Sequence, residues 1–481
     1  MGAQTIYLGT YYNPVYWNTA CLIVNSGSLE DNSETEVVDI FAPEADDLAN
    51  GVTFIDAPDR KTKVRKTSST NYGKIAKAIG DISKSGIKVS LVDINKSDFG
   101  FSPDVENNQI LFGMKALLNV GDELVKTIIE NRPYTSPKDF IERVKPNKQA
   151  MISLIKAGAF DNMLERKLCM AWYIWETCDK KSRLTLQNLP SLVKNGLTPE
   201  DSEKRVMARR VFEFNRYLKA ITKNNKNAKK DMFCLDDRAI NFLTTLGLER
   251  IMAESQGNWY INAKSWDMVY QGYMDVFRDW ISKDKQNILT KLNQTVFKED
   301  WDKYTGGKNI SAWEMEVLCF YYHEHELNHI NKGLYGLSNF FNLPEAPVVE
   351  KSYTSKAGYV VNIFKLNRIC GTCIAKDKVK SIVTLLTPDG VVNVKFRKEH
   401  FALFDKQISV RNPDGSKSIV EKSWFNRGEM IMVQGIRSGD DFIAKKYANS
   451  SGHQLYKIES IDNDGSVILK DHRYQGGEAD D

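Results

Sequence analysis

Three sets of side chains in this sequence have the types and spacing to do chemistry. His325, Glu326 and His329 spell H-E-x-x-H, the pattern in which two histidines one helical turn apart hold zinc and the glutamate activates a water; His323 stands just upstream. Asn119, Val120 and Gly121, with Lys126 further on, form the first of two candidate phosphate contacts, and Lys156, Ala157 and Gly158 form the second. A hairpin glycine lets the backbone approach a phosphate, whose charge then sits on free N–H groups at a helix N-terminus. Such a contact reads no base. The other reading of both glycines is that they simply end helices. The third set is Lys376, Lys378 and Lys380 with Lys395, Phe396 and Arg397, cations and a ring of the kind that guides a single strand; the alternative is a solvated lysine loop.

The elements that must position these groups follow from periodicity. Met114 to Leu118 is read as a short helix, and Leu124, Val125, Ile128 and Ile129 recur at helical spacing after the first hairpin. Pro133 stops that helix, Ser136 caps a third with Pro137 in its first turn, and a fourth, Lys148 to Lys156, ends in the second hairpin. From Leu366 onward the period changes to two. Ile369–Ala375, Ser381–Leu386, Val391–Phe396, Met430–Ile436 and Phe442–Lys446 are five strands, with a short helix over Lys398–Phe404, which is the strand count of an OB barrel. Between these regions, aromatic faces such as Trp266, Val269, Tyr270, Tyr273, Phe277 and Trp280 are read as helix core.

Composition bounds the function without announcing it. The 481 residues carry 66 basic and 62 acidic side chains, net +4, so any basic surface must be local. Runs at Arg60–Lys66 and at Lys223, Lys226, Lys229 and Lys230 are such places. No apolar run approaches the length of about 18 residues that a membrane span requires, and no secretory signal opens the chain, so a cytoplasmic address is expected. Seven scattered cysteines fit reduced thiols, and the lone C-x-x-C of Cys370 and Cys373 is read as strand residues.

In order, the segments Ala3–Val24, Gly86–Ser102, Gln109–Asp161, Trp313–Leu327 and roughly Leu366–Ile461 resemble the C-terminal half of the α subunit of bacterial DNA polymerase III, a C-family replicative polymerase. The resemblance implies a multidomain α+β fold, its N-terminal two thirds mostly helical with tandem helix-hairpin-helix, followed by a C-terminal β-barrel of OB type. The expected domains are the end of the fingers (1–105), the helix-hairpin-helix region (106–165), a helical region (166–345), the OB fold (346–470) and a disordered tail (471–481). It also implies DNA, duplex and single-stranded, as partner, and a clamp-binding peptide, for which Lys230–Phe233, Gln187–Leu192 and Gln294–Phe297 are candidates and Met232 and Phe233 are chosen on the expectation of an exposed, lysine-rich loop. His325 falls where the family's last helix ends before the barrel, which favours a helix end over a zinc site. Asn119 stands where the family more often has glycine.

Nucleotidyl transfer needs clustered carboxylates holding two divalent metals about 4 Å apart. The family places them after a Pro-Asp pair. Here the pairs ending at Asp59, Asp104, Asp389 and Asp414 have no aspartate at the following alternate positions. No catalytic residue, metal ligand or cofactor is therefore assigned to this chain; Mg2+ and the palm are expected on another polypeptide, with Met1 read as the start of a split half. The alternatives are a stand-alone DNA-binding accessory protein of replication and, least favoured, a zinc peptidase.

Overall fold

The computed structural model describes residues 2–26, 37–38, 53–56, 63–66, 72–199, 202–226, 229–411, 417–447, 454–462 and 464–474. Arg60, Lys61, the acidic stretch 39–47 and residues 475–481 lie outside them. The chain divides into two compact units, one of residues 1–172 with 307–481 and one of residues 173–306.

The first unit opens with helices α1 (Gly2–Tyr12) and α2 (Pro14–Ser26) and a small sheet of β1 (Val37–Val38), β2 (Thr53–Asp56) and β3 (Lys63–Lys66). Helix α3 (Tyr72–Lys84) buries Ile75, Ala76, Ile79 and Ile82, an i, i+1, i+4, i+7 set that makes one apolar face. Ala76 packs there with Met315 and Ile374, and Leu386 and Val391 of the barrel close over them. Strands β4 (Lys88–Val89), β5 (Ser102–Asp104) and β6 (Gln109–Leu111) form a three-stranded sheet. The helix-hairpin-helix region follows as a 3-10 turn (Met114–Ala116), α4 (Asp122–Glu130), α5 (Pro137–Val144) and α6 (Lys148–Lys156). Ser136 caps α5 as the sequence predicts, accepting from the Asp139 N–H with Pro137 at the first position, and α6 is capped by Asn147, which accepts from the Ala150 N–H. Helix α7 (Arg166–Thr177) comes next.

The sequence pattern predicts that helices with aromatic faces dominate the second unit, and the structure adds to them. Its helices are α8 (Leu189–Lys194), α9 (Glu203–Lys223), α10 (Asp237–Thr245), α11 (Ala263–Lys283) and α12 (Lys285–Thr305). While Ile288, Leu289 and Leu292 of α12 pack on Leu184, Leu192 and Ile281, the other helices share a core of Val211, Phe214, Leu218, Leu243, Trp266 and Phe277 with a sheet that the sequence pattern does not reveal. Its strands β7 (Met232–Leu235), β8 (Met252–Ser255) and β9 (Asn258–Asn262) run antiparallel in the order β7-β9-β8. Each is five residues or shorter, too little for a period of two to register.

Residues 307–345, expected with the helical region, belong to the first unit, through α13 (Ile310–Leu318) and the short α14 (Lys332–Tyr335). A hairpin of β10 (Val349–Thr354) and β11 (Val360–Phe364) leads to the barrel strands β12 (Asn367–Asp377), β13 (Ile382–Thr387) and β14 (Gly390–Lys395). Helix α15 (Lys398–Asp405) and the hairpin of β15 (Ile408–Arg411) and β16 (Lys417–Glu421) precede β17 (Met430–Ser438) and β18 (Asp441–Ala444). Pairing runs β12-β13-β14-β18-β17 and returns to β12, so the sheet closes; β14 and β18 are parallel and the other pairs antiparallel. With a helix between the third and fourth strands, this is a five-stranded barrel of OB type. Strands β19 (Leu455–Ile461) and β20 (Val467–Lys470) extend the sheet beyond β17.

The tail expected to be disordered is packed at its start. Arg473 is buried and donates to the Phe404 and Lys406 carbonyls, while its guanidinium and the Tyr474 N–H meet Glu421. Burial alone would raise the Glu421 carboxyl, but hydrogen bonds from the Tyr474 N–H, Lys470 and the Trp424 indole and the charge of Arg473 outweigh it and hold the group at about 2. Among the described residues no helix is long and apolar enough to cross a membrane.

Two predictions come from buried polar groups in the first unit. Glu314 is fully buried, with the Arg166 guanidinium at 2.9 Å, so Glu314→Ala leaves that guanidinium with Asp161 alone and takes the acceptor from the Tyr322 and His323 N–H groups; the unfolding free energy in urea should fall by about 3 kcal/mol. Burial lowers the His325 imidazole to about 4, and its bond to the Leu386 carbonyl offsets only part of that. Between about pH 4 and 6.5 the unfolded chain therefore takes up a proton that the folded chain refuses. Stability should be complete above 6.5 and fall on acidification toward 4, by up to about 3 kcal/mol, a slope in the urea midpoint that His325→Gln should flatten.

Candidate nucleic-acid interface

The first hairpin is built to face outward. Val120 is buried and anchors it, while Asn119 and Gly121 are exposed. Asn119 takes the left-handed conformation, φ 63°, which asparagine tolerates better than most residues, and its side-chain amide donates to Ser153 Oγ at 3.1 Å. Gly121 is extended, φ −82° and ψ 159°, and caps α4 without a side chain. A Cβ placed on it would touch nothing within 4 Å. Its value is therefore open space in front of the N-terminal N–H groups of α4, not a special dihedral. Lys126 is exposed one turn along, 3.5 Å from Glu123. The first turn of α4 also holds Asp122, which is ion-paired to Lys115.

The second hairpin is placed the other way. Lys156, Ala157 and Gly158 are buried, and the Lys156 ammonium meets Glu316 at 2.7 Å. Gly158, φ 80°, ends α6 with its N–H on the Ile155 carbonyl, and a Cβ there would lie 2.5 Å from the Arg166 guanidinium. Of the two sequence readings of this glycine the geometry matches the helix end, and the three residues face protein where a phosphate contact would need them open. Arg166 itself binds Asp161, the Lys156 carbonyl and Glu314; Glu314 also accepts from the Tyr322 and His323 N–H groups.

On the barrel, the cations reach the surface already paired. Lys376 and Lys378 both meet Asp405, the latter at 3.3 Å; Lys380 lies 4.0 Å from Asp377 and Lys395 2.6 Å from Asp441. Arg397 is exposed at the start of α15. Phe396 is buried in the barrel core against Phe425, so it cannot stack a base as expected. Its neighbours Val392 and Val394 point inward with it, the alternation of a half-buried strand.

Met232 and Phe233, expected in an exposed loop, lie in the edge strand β7, paired with Asn262 and Ile261 and half-buried. Phe233 packs on the core of the second unit. The H-E-x-x-H run makes a 3-10 turn, Glu326–His329, not an α-helix. Both His325 nitrogens are engaged, with the Leu386 carbonyl and the Leu327 N–H; Glu326 accepts from the Tyr321 hydroxyl and His329 meets Glu324. These side chains are committed to protein partners. Among the described residues no group of three or more His, Cys, Asp or Glu side chains is arranged to hold a metal ion.

The two glycines make opposite predictions. Gly121→Val fits the backbone and the space, so it should cost no more than about 1 kcal/mol of stability, the loss of a favourable cap, while lowering affinity for duplex DNA roughly tenfold, the loss of one charged hydrogen bond. Gly158→Ala should cost about 1–3 kcal/mol of stability, from its left-handed φ and the guanidinium it would strike. Duplex affinity of the folded protein should stay as it was. Calorimetry and fluorescence anisotropy separate the two.

Comparison with known proteins agrees with this geometry. Residues 86–168 match a family described as a helix-hairpin-helix motif, starting well before the expected boundary at 106. Over 477 residues, 98% of the chain, the sequence is 38% identical to the probable DNA polymerase YorL of Bacillus subtilis and, to the same extent, to the DNA-directed DNA polymerase of Bacillus phage SPbeta. The match takes in 34% of each of those proteins, so the chain spans about a third of their length. Over 105 residues, 20% of the chain and 8% of the relative, it is 39% identical to the DNA polymerase III subunit alpha of Thermus aquaticus.

Proposed function

We propose that this chain, a homologue of DNA polymerases over nearly its whole length, is the DNA-holding C-terminal portion of a DNA polymerase III α-type replicative enzyme. The observation that carries the reading is the pairing, in one compact unit, of an outward hairpin at a helix N-terminus with a closed OB-type barrel. The hairpin of Asn119 and Gly121 would hold product duplex by its phosphates, without regard to sequence. The barrel rim, with Lys378, Lys380, Lys395 and Arg397, would guide the single-stranded template.

In this reading the carboxylates and Mg2+ of nucleotidyl transfer sit on a palm outside these 481 residues, carried by another polypeptide, and the complex works in the cytoplasm. A sliding clamp belongs to the same reading, but Met232 and Phe233 would have to leave their sheet to reach one. Mixing the chain with a polypeptide that carries the palm should give co-elution and Mg2+-dependent primer extension that neither gives alone. DNA binding without co-elution or extension would replace this reading with the stand-alone accessory protein. In both cases affinity should fall steeply with salt, because binding releases counterions.

A further inference from the structure

The lysines of the barrel rim face carboxylates, but three cations in a row on one helix of the second unit, Arg216, Lys219 and Lys223, do not. Helix α9 carries Arg205, Arg209, Arg216, Lys219 and Lys223. Their steps of four, seven, three and four residues place all five within roughly 40° of one line at about 100° per residue, a stripe about 27 Å long at 1.5 Å per residue. The other side of the helix is sealed by Ala208, Val211, Phe214 and Leu218 in the core. Arg216, Lys219 and Lys223 are exposed and make no ion pair with any carboxylate among the described residues. Uncompensated positive charge in a row is a site for a polyanion.

Beside the stripe lies a groove of about 600 Å³, lined by Gln187, Arg216, Lys219, Tyr270 and Gln271 and by one carboxylate, Asp267. Its floor is fixed: Asn215 accepts from the Trp266 indole at 3.0 Å and is bonded to the Tyr270 hydroxyl. Side-chain amides and a tyrosine next to a row of cations can meet unstacked bases and their phosphates together. A duplex, its bases stacked inside, has no use for the groove.

We propose that α9 and this groove form a second nucleic-acid site, one that holds a single strand by its phosphates on Arg216, Lys219 and Lys223 with bases turned toward Tyr270, Gln187 and Gln271. The proposal rests on the reading of the chain as DNA-binding but needs neither the hairpin nor the barrel rim. The test uses the full chain, a labelled oligo-dT strand and a blunt duplex of the same length, with affinity measured across a salt series. The variant Arg216→Ala/Lys219→Ala/Lys223→Ala changes only exposed groups and should keep the wild-type thermal midpoint. It should bind the single strand about tenfold or more weakly at low salt, with a salt slope shallower by about 2, and bind the duplex as before.

A variant with wild-type single-strand affinity and slope overturns the inference. If Lys378→Ala/Lys380→Ala/Lys395→Ala then loses the single strand instead, the reading of the chain as a DNA holder stands while the second site falls. Loss of binding to an acidic protein, with DNA binding intact, overturns it as well. A wild-type chain that binds neither DNA overturns both readings.

Discussion

The buried contact between Arg166 and Glu314 is the constraint on which the first unit depends. Both side chains are almost fully removed from water, and each answers the other's charge, the guanidinium sharing itself between Glu314 and the half-exposed Asp161. The guanidinium also holds Asp161 and the last carbonyl of α6, while the carboxylate gathers the N–H groups of Tyr322 and His323 and the His323 ring. One ion pair thus joins the end of the helix-hairpin-helix region to the segment that leads into the barrel. A hydrophobic pair of the same volume could be as stable. What the charges add is direction, because a forked donor and a two-oxygen acceptor accept few relative positions. Lys156 and Glu316 repeat the linkage nearby.

This contact also accounts for Gly158. The glycine ends α6 in a left-handed conformation directly under the Arg166 guanidinium, where any side chain would displace the pair. Gly121 has nothing comparable beside it. Two glycines in similar sequence settings therefore serve different ends, one making room for an internal ion pair and one leaving a helix N-terminus open. The difference lies in Arg166 and Asp161, which crowd Gly158, and in Glu314, about 150 residues from Arg166, which helps hold the guanidinium there beyond the reach of any local pattern.

That distance separates what is legible in the sequence from what is not. The cap at Ser136, the helix over 148–156 and all five barrel strands can be read because capping and periodicity are local. Phe396 goes against its sequence reading although its strand announces the parity: Val392 and Val394 share its face, and Lys395 and Arg397 the other. Lys156 looks free in sequence because its partner, Glu316, is distant along the chain. Lysines and asparagines surround Met232 and Phe233 and suggest a loop, yet pairing with Ile261 and Asn262 decides their state. The H-E-x-x-H run fails as a helix for a local reason: His325 spends its own ring nitrogen on capping the turn, so the two histidines never share a face.

The asymmetry of the two hairpins bears on how firmly the chain could hold duplex. Only the first presents open N–H groups, and the first turn of that helix carries Asp122 and Glu123. Carboxylates there satisfy the helix dipole in the absence of a ligand and oppose an arriving phosphate. Lys115 offsets one of them and Lys126 the other. The result is a contact close to electrostatic balance, strengthened by backbone hydrogen bonds but not by a large surplus of charge. Such a contact is weak and reads no sequence, because each phosphate along a duplex offers the same acceptor atoms.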